Sequence, residues 1–205
     1  MIRKIVLTGG PCAGKTTALD AIVENFTRLG FKVFTVPEVP TMFTKGGMNY
    51  VTDNKEFFYE GEKATLEIQL ALEDKFFRLA ETQTVPTLVV CDRGTLDISA
   101  YMTPEMWNEI IQKVGVTTEQ MLSRYDAVLH LKSAADGLEE CYNTDSNAQR
   151  YESADEAGLS IARQLEHKVM KAWEQHHNRS IIGTDINFGK KLANVIECIL
   201  KLVKE

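Results

Sequence analysis

Short apolar runs alternate along the chain with longer segments whose apolar positions recur every three to four residues. The runs are Arg3–Thr8, Phe31–Val36, Thr87–Cys91 and Tyr125–Leu131, with a weaker one at Ser180–Ile182. Several are nearly continuous rather than alternating, as expected of strands covered on both faces. Helices are predicted at Lys15–Leu29, ending at Gly30, and at about Lys55–Thr82, with Ile68, Leu72, Phe76 and Leu79 on one stripe. Three more are predicted: Pro104–Val114 after Thr103 as cap, Ala154–His177 with Leu159, Ala162, Leu165, Val169 and Trp173 at helical spacing, and about Gly189–Lys204. A glycine just past a helix end accepts the left-handed cap conformation, and proline suits the first helical position, where an N–H would have no partner. Strands alternating with helices imply right-handed crossovers and an α/β fold, a five-stranded parallel sheet sandwiched by helices. Such sheets bind ligands beyond the carboxyl ends of their strands, which singles out the loops after Thr8, Val36, Cys91 and Leu131.

Composition narrows the class without changing this picture. With 205 residues, 44% hydrophobic and 25% charged, the chain reads as one globular domain spanning 1–205 rather than a disordered or low-complexity segment. The 23 basic and 29 acidic residues give a net charge of −6, so no general affinity for nucleic acid is expected. No run approaches the ~18 apolar residues of a membrane helix, and the opening MIRKIVLTGG is too short in its apolar part for a signal peptide, so a cytoplasmic location is expected. Cys12, Cys91, Cys141 and Cys198 are scattered without metal-site spacing and read as reduced thiols.

The first strand runs into GGPCAGKTT, in which Gly9, Gly14, Lys15 and Thr16 complete G-x-x-x-x-G-K-[ST]. Gly9, Gly10, Pro11, Cys12, Ala13, Gly14, Lys15, Thr16 and Thr17 are therefore the expected nucleotide-binding residues. Backbone N–H groups of such a loop and the helix that follows offer a positive cradle for phosphates, Lys15 can reach the outer phosphates, and the Thr16 hydroxyl can hold Mg²⁺. Cys12 is read as a small filler of the loop. The third strand ends CDRG, placing Asp92 as the second metal-holding group and Arg93 as a partner for acceptor or phosphate. Glu38, in VPEVP after the second strand, is the candidate base for an acceptor hydroxyl, with a solvated loop carboxylate as the plainer alternative. The polar segment 143–153 is expected to be a lid carrying Arg150 toward the transferring phosphoryl group. His130 reads as a core histidine; His167, His176 and His177 read as surface residues.

Absent strings also inform. There is no guanine-reading NKxD, since NKEF at 54–57 does not match it, and the third strand ends Asp-Arg rather than the Asp-Glu of AAA+ motors. The Asp-Arg ending with a late arginine matches small-molecule P-loop kinases. IVLTGGPCAGKTTAL, VPEV, VVCDRGTLD and the stretch from Asp126 through HLKSAADG to QRYES resemble the NadR/TRP-channel-translocation-defect family of P-loop domains, over about residues 2–203. Within that family the strings are most similar to the P-loop domain of the GTP-binding TRP-channel trafficking branch. The resemblance implies a nucleoside/nucleotide-kinase-like sheet with a nucleoside triphosphate and Mg²⁺ at Gly9–Thr17. Two functions are open at this point. One is a kinase-type phosphotransferase moving the γ-phosphoryl of ATP or GTP to a small-molecule acceptor, with Lys15, Glu38, Asp92, Arg93 and Arg150 as its catalytic set. The other is an ATP- or GTP-binding regulatory or trafficking module that hydrolyses slowly or not at all and signals to a protein partner.

Overall fold

The structure is a computed structural model that describes residues 1–133, 156–183 and 187–204. The expected lid at 143–153, Arg150 and Cys141 lie outside the described residues. The strands are β1 (Ile2–Thr8), β2 (Lys32–Val36), β3 (Thr87–Asp92), β4 (Ala127–Leu131) and β5 (Arg179–Ile182). All pair in parallel in the order β2-β3-β1-β4-β5, so the strand that leads into the glycine-rich loop is central. The register sets Leu7 beside Asp92 and Thr8 beside His130. Both neighbours of β1 thus deliver their last residues next to that loop.

Alternate residues of each strand feed two cores. Val6, Val89 and Cys91 face one side, with Leu66, Trp107, Val169 and Trp173. Ile5, Leu7, Leu88 and Val90 face the other, with Ala18, Ile22, Phe26, Val195 and Ile199. The second side is covered by α1 (Lys15–Arg28) and by the last helix, here α7 (Phe188–Leu202). The first side carries α3 (Lys55–Glu81), a 3-10 helix (Thr95–Tyr101), α4 (Pro104–Val114), α5 (Thr118–Leu122) and α6 (Glu156–Ala172). α2 (Val39–Lys45) follows β2 directly. The α/β sandwich expected from the alternation of runs is the observed fold.

The caps behave as the sequence implies. Gly30 takes φ 84° just beyond α1, and the Thr103 side chain accepts the Met106 N–H ahead of Pro104. Three elements were not predicted: α2, α5 and the 3-10 helix, each seven residues or fewer and too short to show a helical period. One side chain was misplaced. His176 is buried, its ring nitrogens 3.0 Å from the carbonyls of Tyr125 and Asn178, because α6 stops at Ala172 and the chain turns inward there. Among the described residues no helix is long and apolar enough to cross a membrane.

The larger correction concerns α3. The expected stripe of Ile68, Leu72, Phe76 and Leu79 is only partly covered, and Leu79 is 50% exposed. The buried positions are Glu62, Thr65, Leu66, Gln69, Glu73 and Ala80, a mostly polar face. Glu73 is fully satisfied: the Tyr125 hydroxyl donates to it at 2.7 Å, Gln69 Nε2 at 2.9 Å and Arg124 Nε at 3.0 Å. Gln69 Nε2 also reaches the Arg93 carbonyl at 3.3 Å, fixing the end of β3. Glu62 differs. It is 4% exposed, and burial alone lifts its carboxyl to about 8.

A carboxyl raised above its ordinary 4.5 must take up a proton on folding at intermediate pH, so its contribution to stability is lost as pH climbs from about 4.5 to about 8. Glu62→Gln removes that cost. At pH 7.5 the variant should be more stable than the parent by on the order of 2–3 kcal/mol, with the gap closing toward pH 4.5, as read from urea unfolding at several pH values.

Candidate active site

The loop between β1 and α1 is built from unusual backbone. Gly9 has φ 142° and Gly14, which caps α1, has φ 83°. A Cβ on Gly9 would lie 2.0 Å from the Leu131 carbonyl oxygen, and one on Gly14 would lie 2.6 Å from the Phe188 ring. Both positions therefore demand glycine for conformation and for space. Cys12 sits between them at φ 54°, a left-handed conformation unfavourable for a residue with a side chain, and is half-buried. Lys15 folds back over the loop and donates from Nζ to the carbonyls of Gly9 at 3.1 Å and Gly10 at 3.0 Å. Burial and then the nearby Arg93 charge lower Lys15 to about 8, against the pull of Asp92, Glu38 and Asp97. Thr16 and Thr17 follow in the exposed first turn of α1.

The ends of β2 and β3 supply the opposing wall. Asp92 Oδ1 is buried and has no hydrogen-bond partner among the described residues. Burial raises the Asp92 carboxyl, with Lys15 opposing. Arg93, at φ 66°, turns back toward the loop. Its Nε donates to Glu38 Oε1 at 2.5 Å, its Nη1 lies 3.4 Å from the Gly9 carbonyl, and the same nitrogen is 3.8 Å from Asp97 Oδ1. Glu38 also accepts from the Thr41 hydroxyl at 2.6 Å. Burial would raise Glu38, but Arg93, then Thr41 and Lys15, hold it down at about 2. Lys15, Glu38, Asp92 and Arg93 thus converge on one place at the carboxyl edge of the sheet. The lone buried Asp92 oxygen suits a cation, and carboxylate and hydroxyl oxygens such as those of Asp92 and Thr16 are the ligand chemistry that Mg²⁺ takes.

Behind the loop stands a set of residues the sequence reading missed. Glu166 of α6 accepts from the Gly10 N–H at 2.7 Å and the Ser133 N–H at 3.2 Å, and its other oxygen lies 2.6 Å from His130 Nε2. Burial pushes the Glu166 carboxyl up, but His130 and the two N–H groups bring it below its ordinary value. Ser133 Oγ donates to the Pro11 carbonyl. Lys191 of α7 donates to the Ala13 carbonyl at 2.9 Å and the Lys132 carbonyl at 2.6 Å. Asp97 accepts the Gly94 N–H at 2.7 Å and the Thr8 hydroxyl, pinning the end of β1 to the turn after β3. A signal for two of these exists in the sequence: Glu166 falls on the buried Ala162–Val169–Trp173 stripe, and Lys191 on the Val195–Ile199–Leu202 stripe. A charge inside an apolar stripe has to find a partner.

The fold and these contacts define a P-loop domain of the kinase-like kind. The AAA_28 family model, described as an AAA domain, matches residues 4–185, and the chain belongs to that family. Two solved structures of deoxyadenosine kinase from M. mycoides are similar in fold. The one with products dCMP and dCDP has a TM-score of 0.64 at 13% identity, and the one with bound dATP has 0.56 at 14%; each comparison covers 97% of this chain and 99% of the other. None of the curated proteins compared matches the chain.

Removing the rear support should be costly. Glu166→Ala leaves the Gly10 and Ser133 N–H groups and His130 buried beside no acceptor, a loss of about 2–4 kcal/mol. Glu166→Gln keeps an acceptor for the N–H groups and should cost less than half as much. Denaturant unfolding of both variants checks the order.

Proposed function

We propose that this chain is a Mg²⁺-dependent phosphotransferase that moves the γ-phosphoryl group of ATP or GTP to a hydroxyl of a small molecule. The observation that carries the reading is the Glu38–Arg93 pair, drawn from two strand ends and set against the glycine-rich loop at 2.5 Å from each other. A module that only binds nucleotide has no need of a half-buried carboxylate there. The kinase-like fold, and the nucleotides bound by the two kinases of similar fold, support the same reading. The strings GGPCAGKTT and CDRGTLD support placing the chain in the NadR-like branch, and a cytoplasmic site of action belongs to the same proposal.

In this mechanism the acceptor oxygen forms a bond to the γ-phosphorus while the bond to the β–γ bridging oxygen breaks, and the nucleoside diphosphate leaves. The acceptor proton passes to Glu38. Lys15 and Arg93 offset charge on the phosphoryl oxygens, joined by Arg150. Thr16 and Asp92 would hold Mg²⁺, which when bound neutralises phosphate charge. A carboxylate held at about 2 is a weak base, but phosphoryl transfer passes through a loose transition state in which proton removal comes late. Contact of the acceptor with Arg93 would loosen its grip on Glu38 at that moment.

The same low value favours the second reading, an ATP- or GTP-binding module in which Glu38 only braces Arg93 and a protein partner reads the bound state. The two readings separate on a panel of nucleosides and vitamins offered as acceptors with ATP and GTP in parallel. Phosphorylation of any member supports the first; nucleotide binding without transfer to any acceptor supports the second.

Lys15→Ala should weaken triphosphate binding roughly 10- to 100-fold by calorimetry, because a charge-assisted contact is lost. Glu38→Gln should slow transfer by roughly 100-fold and change donor affinity far less, since the amide can still accept from Arg93 but cannot take the acceptor proton. Asp92→Asn should retain nucleotide binding in EDTA and lose the gain that Mg²⁺ gives.

A further inference from the structure

The buried face of α3 continues past the sheet. Gln69 meets the Arg93 carbonyl just beyond the end of β3, while Glu73, one turn later, meets Lys4 and Tyr125 lower down. α3 therefore descends from the carboxyl edge, and Thr65 and Glu62, on the Gln69 face, stand above that edge. Seven residues of helix place Glu62 about 10 Å beyond Gln69. The segment before α3 closes over this part. The Tyr50 hydroxyl and Thr65 Oγ1 are 2.7 Å apart, and the Met48 side chain presses so closely on Gly61 that a Cβ there would lie 1.9 Å from it. Glu38 and Glu62 bracket Tyr50: burial raises its phenol to about 12 against the Thr65 hydrogen bond, and the charges of both carboxylates add to the rise.

Within this frame Glu62 is 4% exposed, and no described residue offers it a hydrogen bond or an ion pair. Tyr50 and Thr65 satisfy one another. A buried carboxyl without a partner is costly, and the missing group is a donor. Every other buried acid named above has its donors: Glu73 from Gln69, Tyr125 and Arg124, Glu166 from Gly10 and Ser133, Asp97 from Gly94 and Thr8. Asp92 is the other carboxylate with an orphaned oxygen, and it lies where a cation is expected.

We propose that Glu62 is the specificity-determining residue at the far end of the acceptor site, and that it selects acceptors presenting an amino or amide N–H group at the end remote from the hydroxyl that is phosphorylated. This rests on the phosphotransferase reading for the identity of the site as an acceptor site; the recognition itself is a binding property. A site built to hydrogen-bond one group rejects an analogue lacking it far more strongly than an apolar pocket can, because its own polar atom is left unpaired.

Matched nucleosides test it. Adenosine and purine riboside differ by one amino group, and cytidine and uridine present an amino group or a carbonyl at the same place. Binding of all four is measured by calorimetry in the presence of a non-hydrolysable triphosphate, and transfer is measured with ATP and with GTP. The parent protein should favour adenosine over purine riboside, or cytidine over uridine, by at least 10-fold in affinity. Glu62→Met, which fills the space without a polar atom, should bring that ratio near 1 with triphosphate affinity unchanged. Glu62→Gln, which still accepts a hydrogen bond, should keep most of the preference and guards against misreading a folding defect. A preference that survives in Glu62→Met, or no binding of any of the four to the parent, overturns the proposal. Discrimination in binding without transfer to any acceptor retains the Glu62 assignment and sinks the phosphotransferase reading instead.

Discussion

The phosphate loop cannot hold its own shape, and the rest of the molecule is arranged to hold it. Its backbone passes through left-handed conformations at Gly9, Cys12 and Gly14 and has few partners within itself. What fixes it comes from behind: Glu166 on the Gly10 N–H, Ser133 on the Pro11 carbonyl, Lys191 on the Ala13 carbonyl. Each of these brings a polar group into a nearly dry place, where a hydrogen bond counts for more and a missing one costs more than it would in water. The loop's inner face is thereby left for a ligand, and Lys15 turns toward it.

Two kinds of buried acid result. Glu73, Glu166 and Asp97 are surrounded by donors and act as fixed pegs between elements far apart in sequence. Asp92, through its buried Oδ1, and the buried Glu62 lack a partner among the described residues. Stability alone would have removed the second kind, since a protein at its marginal balance gains by replacing an unsatisfied polar group. They lie at the carboxyl edge of the sheet, one beside the phosphate loop and one farther out along α3.

Much of this was legible in the sequence, for reasons that differ by element. The strands announced themselves because burial on both faces leaves only apolar runs, and the phosphate loop because its glycines are forced by geometry. Asp92, Arg93 and Glu38 were singled out by their place at strand ends, and the structure brings the three together. The support behind the loop stayed hidden because it is made by single charged residues, Glu166 and Lys191, more than 150 positions from the backbone they hold, and spacing rules see only neighbours. The face of α3 was misjudged for a related reason. Its apolar stripe and its buried stripe are adjacent, and only contact with Tyr125, Arg124 and the Arg93 carbonyl decides that the polar one turns inward.

The order in which the chain is made gives the rear supports a further consequence. The loop is synthesised before most of what holds it: β1 pairs with β3 and β4, and the loop's anchors extend to Lys191. At usual elongation rates the stretch from Gly9 to Lys191 takes roughly 10–40 s to emerge. For that interval the glycine-rich segment is a tether without a frame, and a truncated chain keeps it so. A phosphate-bearing ligand can grip only a finished molecule, which makes the ligand a late inspector of completed chains and leaves stalled ones without its protection.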